Sequence, residues 1–237
     1  MARRLFFVDE IHSGAAEIAG DEAMHLTRVL RVEVGQRYEI SDNRGLYLAE
    51  VETARKQHVV FRVLEKLETR PLPVRLHLFA ALIKFDHFEW TLEKATEVGV
   101  ERITPVISER VEKGLDRAAP KRMERWTRIL KESAQQSRRW QLPELDEPVR
   151  LSRVLLEDGL RLVLEEASAP ALLGVLPEQR KAEDLVKLLV GPEGGWAEHE
   201  RADLVSAGWQ PVSLGPTILR AETAAAVGLG VVSAAWG

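Results

Sequence analysis

The 237-residue sequence contains no cysteine, which excludes disulfides, thiolate metal sites and a cysteine nucleophile. No stretch approaches the roughly 20 apolar residues that a membrane-spanning helix needs. The opening residues hold only four consecutive apolar side chains, Leu5 to Val8, which are too few for the core of a secretion signal. These absences favour a cytoplasmic protein that does not enter a membrane.

Motifs of several large enzyme classes are also missing. The sequence has no Walker-type phosphate loop, no G-x-G-x-x-G after a strand and no G-x-S-x-G nucleophile elbow. Its six histidines are scattered and form no H-E-x-x-H, so we expect no metal site. Hydrolase, kinase and metalloenzyme activities are therefore disfavoured, and His25 and His87 are candidates only for a substrate contact.

Charge is unevenly distributed along the chain. The net charge of −4 argues against a nucleic-acid-binding protein. The segment from Lys121 to Trp140, however, has seven basic and two acidic residues, a local charge of +5. Such a segment is typical of a surface that binds a polyanion, although a solvated helix face has the same composition.

Residues 1–70 have the pattern of a small β-domain. An apolar run at Leu5–Val8 predicts an opening strand, and Asp21 is placed to cap a helix. Period-two alternation on both sides of the turn Asp42–Gly45 then predicts further antiparallel strands. We expect a small barrel of a kind that often docks RNA. The proline-containing segment Thr69–Pro73 reads as a linker.

Residues 71–237 alternate between strand and helix patterns, which predicts a mostly parallel sheet with helices on both faces. Asp86 is placed to cap a helix that has Glu89 as its capping-box partner and ends at Gly99. A second helix spans the basic residues 121–139. Further strands are predicted at residues 74–82, 102–107, 162–164, 185–190 and 212–214, and further helices at residues 198–207 and 222–235.

Two similar loops follow the last two predicted strands. One is LVGPEGGW, Leu189 to Trp196, and the other begins SLGPTILRAET, at Ser213. Each has a Gly-Pro turn before a helix, so each offers backbone donors at the carboxyl end of a strand, where parallel sheets bind ligands. Taken singly, the first loop is more typical of a tight turn and the second of a helix-start salt bridge. Two such loops at successive strand ends favour a ligand site.

The side chains of these loops suit a flat polar ligand with a second ligand beside it. Leu214, Ile218 and Leu219 can cover the faces of an adenine, and a carboxylate such as Glu193 can hold ribose hydroxyls. Arg220 can face the second ligand and stabilise negative charge that develops on a nucleophile. The last helix is apolar nearly all round, which is typical either of an intersubunit contact or of burial against the sheet.

The motifs GPEGG (Gly191–Gly195) and SLGPTILRAETA (Ser213–Ala224) resemble those of the SPOUT methyltransferases. The chain is most similar to the bacterial 16S ribosomal RNA uridine-N3 methyltransferases. RRLFFV, HLTRVLR (His25–Arg31) and ESAQQSRR (Glu132–Arg139) extend the likeness over the whole length. It departs from the family at Thr217, where arginine is usual, and at Phe85 and Arg138, where glycine is common.

The resemblance implies an α/β fold. Residues 1–70 would form a PUA-like β-barrel that binds RNA, and residues 71–237 a SPOUT methyltransferase domain with a C-terminal trefoil knot. It also implies a homodimer that holds S-adenosylmethionine in the knot and methylates N3 of a uridine in 16S rRNA of the small ribosomal subunit. The alternatives are a SPOUT methyltransferase acting on tRNA or 23S rRNA, and an RNA-binding assembly factor without catalysis.

Site residues follow from these motifs, with Arg220 and Glu222 as the catalytic pair. The cofactor-binding residues are expected to be Leu164, Glu165, Gly191, Pro192, Glu193, Gly194, Gly195, Leu214, Gly215, Ile218, Leu219 and Thr223. The RNA-binding residues are expected to be Arg3, Arg4, Arg28, Arg31, Lys84, Gln136, Arg138 and Arg139.

Overall fold

A computed structural model describes residues 4–156, 158–165 and 169–237. Arg3, one of the predicted RNA-binding residues, lies outside the described residues. The chain divides into two units. The first comprises the residues up to Arg70 together with Ala134–Leu142, and the second comprises Pro71–Ser133 and Pro143–Gly237.

The first unit is built on a five-stranded sheet with the strand order β1-β3-β4-β5-β2. Among the described pairs, β1 and β3 are parallel, and the other neighbours are antiparallel. Phe6, Ile40 and Phe61 are almost fully buried at its core. The strands are β1 (Leu5–Phe7), β2 (Ala15–Ala19), β3 (Arg37–Ser41), β4 (Leu46–Arg55) and β5 (His58–Leu67).

The helix predicted from Asp21 is short and irregular. It starts as α1 (Gly20–Met24) and continues in one wider turn, His25–Val29. Ala19 occupies the N-cap position without a side-chain cap, so Asp21 lies in the first turn, where its negative charge favours the helix dipole.

The segment Ala134–Leu142 belongs to the first unit, although the sequence assigned it to the C-terminal domain. The Ser41 hydroxyl donates to the Trp140 carbonyl at 2.5 Å, and the Leu142 amide donates to Asn43 Oδ1 at 2.6 Å. A domain boundary placed at residue 70 from local sequence patterns could not include this segment, because its contacts join residues 99 positions apart.

β1 explains why residues Ala134–Leu142, which we call the return segment, pack in the first unit. Successive side chains of a strand point to opposite faces. Phe6 enters the barrel core, whereas Leu5 and Phe7 pack with Ala134. All three strand residues are therefore buried.

The second unit is built on a parallel sheet with the order β12-β10-β11-β6-β7-β8, and β9 also pairs with β7. Every described pair is parallel, as the alternating pattern predicted. The strands are β6 (Arg75–Ala81), β7 (Arg102–Ile107), β8 (Glu144–Leu145), β9 (Val149–Arg150), β10 (Leu160–Leu164), β11 (Leu185–Val190) and β12 (Gln210–Val212).

Helices pack on both faces of this sheet. They are α2 (Phe85–Val98), α3 (Leu115–Ala118), α4 (Met123–Ser137), α5 (Leu151–Val154), α6 (Leu172–Val175), α7 (Glu198–Ser206) and α8 (Ala221–Trp236). No helix among the described residues has the length and apolar character needed to cross a membrane.

The predicted N-terminal cap of α2 is wrong, whereas its predicted end at Gly99 is confirmed. Lys84 occupies the N-cap position and makes no side-chain cap, whereas Asp86 lies inside the first turn. Glu89 does not complete a capping box because both of its oxygens bind Arg125, each at 2.7 Å. Gly99 ends the helix in the left-handed conformation, with φ of 98°.

The basic helix α4 begins two residues later than predicted. A 3₁₀ turn, Ala119–Arg122, precedes it and contains Pro120. Trp126 anchors the helix because its side chain is completely buried against Phe88, with ring centroids 4.7 Å apart.

Candidate active site

Three neighbouring strands of the second unit end at one edge of the sheet. β10 lies between β12 and β11, and both pairings are parallel. Leu164, Val190 and Val212 therefore end side by side, and the two Gly-Pro loops flank the residue that follows β10. A cavity of about 350 Å³ opens at this edge.

The first loop depends on glycine at two positions. A Cβ atom at Gly191 would lie 3.0 Å from Nε1 and 3.1 Å from Cε2 of the buried Trp196 ring. Gly195 has a φ of 65°, and its amide donates to the Pro192 carbonyl at 2.8 Å to close a turn. The loop can therefore bring its backbone to the cavity wall only without side chains at these positions.

Glu200 fixes the junction between this loop and α7. Its Oε2 accepts the Ala197 amide at 2.9 Å, and its Oε1 accepts the Glu109 amide at 2.8 Å. The side chain is buried, so these two hydrogen bonds compensate its desolvation. The start of α7 is thereby held rigidly beside the cavity.

The second loop is open and ends at α8. Gly215 has a φ of 135°, which strongly favours glycine, and the Ser213 hydroxyl donates to the Gly215 carbonyl at 3.1 Å. Ile218 lines the cavity with 72% of its surface exposed. An exposed large apolar side chain at a cavity mouth suits contact with the flat face of a ligand.

Glu165 follows β10 and is oriented by an arginine that the sequence reading missed. Arg201 on α7 donates from Nε to Glu165 Oε1 at 3.1 Å, and both side chains line the cavity. Arg201 lies outside both Gly-Pro motifs, so no sequence motif indicated its role. The role becomes visible because the fold places α7 beside the cavity.

Arg220 places a positive charge at the edge of the cavity. It occupies the N-cap position of α8, lines the cavity and is exposed to solvent. Among the residues that the structure describes, none forms an ion pair with its guanidinium, so the charge is available to a ligand.

Glu222, the second residue of the predicted catalytic pair, lies in the first turn of α8 and is not among the residues that line the cavity. Its residue exposure is only 8%, and its Oε1 is 3.1 Å from Nδ1 of His87. His87 also approaches Glu193, with Nδ1 and Oε1 3.7 Å apart.

The structure brings most of the predicted cofactor-binding residues to one cavity. Within the described chain, Gly194 and Thr223 are the predicted cofactor residues outside the lining, and Gly194 instead accepts a hydrogen bond from Arg110 at 2.8 Å. The predicted residues in the lining are Leu164, Glu165, Gly191, Pro192, Glu193, Gly195, Leu214, Gly215, Ile218 and Leu219. Lining residues absent from the prediction are Val190, Trp196, Arg201, Ser213, Thr217, Ala221 and Ala224.

The predicted RNA-binding residues are divided between the two units. Lys84 belongs to the second unit and is exposed. The described members of the first unit are Arg4, Arg28, Arg31, Gln136, Arg138 and Arg139. Three of these come from the return segment, which therefore adds its own charges to those of the barrel.

Part of the basic charge on α4 is neutralised internally. Glu89 on α2 binds Arg125 through two hydrogen bonds and lies 3.7 Å from Arg122. The sequence count of +5 included only residues of the segment itself. A polyanion would therefore meet fewer available charges than the sequence suggests.

Family models match both parts of the chain. A model described as an RNA methyltransferase PUA domain matches residues 18–64, and one described as an RNA methyltransferase domain matches residues 70–233.

Curated relatives match over nearly the whole length. The ribosomal RNA small subunit methyltransferase E of Mycobacterium bovis is 35% identical, over 98% of this chain and 92% of its own. The protein of the same name from Bacillus subtilis is 32% identical, over 91% of this chain and 88% of its own.

Solved structures agree with this likeness. A putative methyltransferase of Legionella pneumophila, in complex with bound S-adenosylmethionine, is 31% identical with a TM-score of 0.90, over 99% of this chain and 98% of its own. A ribosomal RNA small subunit methyltransferase E of Neisseria gonorrhoeae bound to S-adenosylmethionine is 29% identical with a TM-score of 0.89 and the same coverage.

Proposed function

Because the chain belongs to the RNA methyltransferase family of ribosomal RNA small subunit methyltransferases E, we propose that it methylates N3 of one uridine in 16S rRNA. S-adenosylmethionine is the methyl donor. The observation that carries the proposal is the cavity between the two Gly-Pro loops, with Arg220, which pairs with no acidic side chain among the described residues, at its edge.

The cavity residues suit S-adenosylmethionine. Leu214, Ile218 and Leu219 offer apolar contact to the adenine, while the glycine backbones offer hydrogen-bonding groups to its edge. Glu165, held by Arg201, is placed to accept hydrogen bonds from ribose hydroxyls. When bound, this cofactor supplies an electrophilic methyl group on a sulfonium.

Methyl transfer needs alignment and charge stabilisation more than covalent help from the protein. The residues of the two Gly-Pro loops would hold the cofactor, which would supply its methyl group to the N3 lone pair and leave as a neutral thioether, while the N3 proton would pass to solvent. Arg220 orients the uracil and stabilises its N3 anion or a neighbouring carbonyl oxygen. Glu222 lies in the first turn of α8, where its negative charge favours the helix dipole and so stabilises the helix start that carries Arg220.

The basic residues of the first unit bind the rRNA through contacts with its phosphates. Arg4, Arg28 and Arg31 come from the barrel, and Gln136, Arg138 and Arg139 come from the return segment. Lys84 contributes a further charge from the second unit. The small ribosomal subunit is the partner, and a bacterial rRNA substrate implies a cytoplasmic protein.

We also propose a homodimer that forms through α8. One face of α8 packs on the sheet, but Val227 on another face keeps 41% of its surface exposed. Trp90 on the adjacent helix α2 is also 41% exposed. Val227→Asp should raise the monomer fraction in light scattering, whereas Val205→Asp on the exposed side of α7 should leave the dimer intact.

The decisive experiment supplies radiolabelled S-adenosylmethionine with small subunits, naked 16S rRNA, 23S rRNA or tRNA. Label is expected in 16S rRNA, together with a reverse-transcription stop at one uridine, because N3-methyluridine cannot pair normally. Label only in tRNA or 23S rRNA would contradict the substrate assignment. No label and no calorimetric binding of the cofactor would indicate a non-catalytic assembly factor.

The role of Arg220 has its own test. Arg220→Ala should keep cofactor affinity in calorimetry but lower methylation by about 100-fold or more, as loss of an oxyanion-stabilising group does. Thr217→Ala, at the neighbouring departure from the family pattern, is the matched loop variant and should change the rate little. Full activity of Arg220→Ala would exclude Arg220 as a catalytic residue.

A further inference from the structure

Three side chains with metal-binding atoms converge from distant parts of the second unit. His87 comes from α2, Glu193 from the loop after β11 and Glu222 from the first turn of α8. His87 Nδ1 lies 3.1 Å from Glu222 Oε1 and 3.7 Å from Glu193 Oε1. One ligand atom from each residue fits within a span of 4.8 Å.

Two buried atoms of this cluster, defined as His87, Glu193 and Glu222, have no hydrogen-bond partner among the described residues. Glu222 is 8% exposed, and its Oε2 is buried without a hydrogen-bond partner among the described residues. His87 Nδ1 is likewise buried and unpartnered, so its 3.1 Å approach to Glu222 lacks hydrogen-bond alignment. Buried polar atoms ordinarily have a hydrogen-bond partner, so these two atoms are candidates for binding a group from outside the chain.

Charge at the cluster is also uncompensated. Two carboxylates face one imidazole, and the carboxylate of Asp86 lies 3.7 Å from its other nitrogen, Nε2. Over residues 4–156, 158–165 and 169–237, no lysine or arginine forms an ion pair with Glu193 or Glu222. Carboxylates this close together need a cation between them or a proton on one of the groups.

We propose that His87, Glu193 and Glu222 bind one divalent transition-metal cation, with Zn²⁺ preferred. Zinc sites commonly take three protein ligands from histidine and glutamate and keep a fourth position open. Ligand atoms about 2.1 Å from zinc in tetrahedral geometry lie roughly 3.4 Å apart, and the two distances of 3.1 and 3.7 Å bracket that value.

Ligand chemistry distinguishes zinc from magnesium here. Imidazole nitrogen suits zinc, whereas magnesium prefers an octahedral shell of oxygen. Glu193 also lines the cavity, so the ion lies beside the first Gly-Pro loop. The proposal does not depend on methyl transfer, because ion binding is measured without cofactor or RNA.

The test titrates chelator-treated, untagged protein with Zn²⁺, Mn²⁺ or Mg²⁺ in a calorimeter. One zinc ion per chain should bind more tightly than manganese, and magnesium should give no comparable heat. His87→Gln and Glu222→Gln should each weaken zinc binding at least about tenfold, since loss of even an outer-shell partner has that effect. Zinc should raise the melting temperature of the wild-type protein and not of these variants.

A matched control is available on the protein surface. His199 lies 3.2 Å from Glu109, but both side chains are more than 60% exposed and no third ligand among the described residues joins them. His199→Gln should therefore leave zinc binding unchanged. If a cluster variant fails to fold, Glu193→Gln provides the same test from a half-exposed position.

Two results would overturn the proposal. One is the absence of stoichiometric zinc binding to the wild-type protein, which would make His87 an ion-pair partner of the carboxylates only. The other is zinc binding that survives the cluster substitutions and disappears in His199→Gln.

Discussion

Arg201 Nε donates to Glu165 Oε1 at 3.1 Å, which joins the first half of α7 to the residue after β10 in the cavity lining. The arginine occupies one side of the carboxylate and fixes its direction. Glu165 side-chain exposure is only 20%, so the pair is shielded more than an ordinary surface ion pair.

Glu165→Gln should therefore weaken S-adenosylmethionine binding by roughly 10- to 100-fold, the range expected for a hydrogen bond to a charged group. Arg201→Gln should weaken it less, because the carboxylate remains but loses its orientation. Calorimetric titration measures both affinities. Glu198→Gln, an exposed position in the same helix as Arg201, should bind normally. Normal binding by Glu165→Gln would exclude Glu165 as a cofactor contact.

Two glycines in α8 differ in their surroundings. A Cβ atom at Gly228 would lie 2.8 Å from Leu188 Cδ2 and 3.3 Å from Leu164 Cδ1, whereas one at Gly230 meets nothing within 4 Å. Gly230→Ala should raise the free energy of unfolding by about 0.5 to 1 kcal/mol through helix propensity.

Gly228→Ala gains the same propensity but overpacks a fully buried leucine, so it should be less stable than Gly230→Ala by about 1 to 3 kcal/mol. Denaturant unfolding at one protein concentration measures both variants. Equal stability of the two would show that α8 does not approach the sheet this closely.

The fold class predicted from the sequence is confirmed. It could be predicted because the alternation of strands and helices after residue 74 follows from local hydrophobic periodicity. The Gly-Pro loops were also visible, since Gly191 and Gly215 are constrained by close approach and backbone conformation. The trefoil knot implied by the resemblance stays a prediction.

Long-range contacts were not visible in the sequence. Arg201 lies 36 residues from Glu165, and the ligands proposed for zinc are spread from His87 to Glu222 with no motif spacing. The cap of α2 failed for the same reason, because Glu89 pairs with Arg125 on another helix. The two positions that depart from the family's glycines differ in backbone conformation. Arg138 has a φ of 57°, a conformation that glycine adopts without steric cost. Phe85 is the first residue of a helix, where glycine is not required.

His77 should make stability depend on pH. Burial, followed by the charge of Arg102, lowers its pKa to about 3, and its Nε2 is 2.7 Å from Thr104 Oγ1. His77 therefore binds a proton below about pH 6.5 in the unfolded chain, but only below about pH 3 in the native protein. Stability from this group is complete above pH 6.5 and falls as the pH decreases toward 3, by an amount on the order of a few kcal/mol.

The comparison of wild-type protein with His77→Gln isolates this effect. Their unfolding free energies should differ increasingly between pH 6.5 and 4, with the wild-type curve falling more steeply. Although burial raises the pKa of Asp146, hydrogen bonds from Arg102 and Thr104 hold it below its usual value, so Asp146 acts only at lower pH. Parallel curves between pH 6.5 and 4 would contradict the assignment.

Arg125 and Arg138 should differ in their contribution to RNA binding. Arg125 already binds Glu89 at two positions, whereas Arg138 is exposed after the end of α4. Arg138→Gln should therefore reduce the slope of log affinity against log salt by about 0.7 to 0.9, as loss of one phosphate contact does. Arg125→Gln should change it much less. Filter binding to 16S rRNA over a salt series measures the slopes, and equal changes would contradict the proposed role of Arg138.

Arg138 should also limit the stability of α4. The Arg139 amide donates to the Ala134 carbonyl at 2.9 Å and the Arg138 amide to that of Gln135 at 3.4 Å, which is a Schellman ending with Arg138 in the left-handed conformation.

A non-glycine residue in this conformation costs roughly 1 kcal/mol, so Arg138→Gly should raise the free energy of unfolding by about 0.5 to 1 kcal/mol. Arg128→Gly removes the same side chain from an exposed position inside α4, where glycine should lower stability by about 1 kcal/mol. Urea titrations should therefore give changes of opposite sign. If both variants are destabilised, the backbone at Arg138 is not strained, and the arginine instead stabilises the end of the helix.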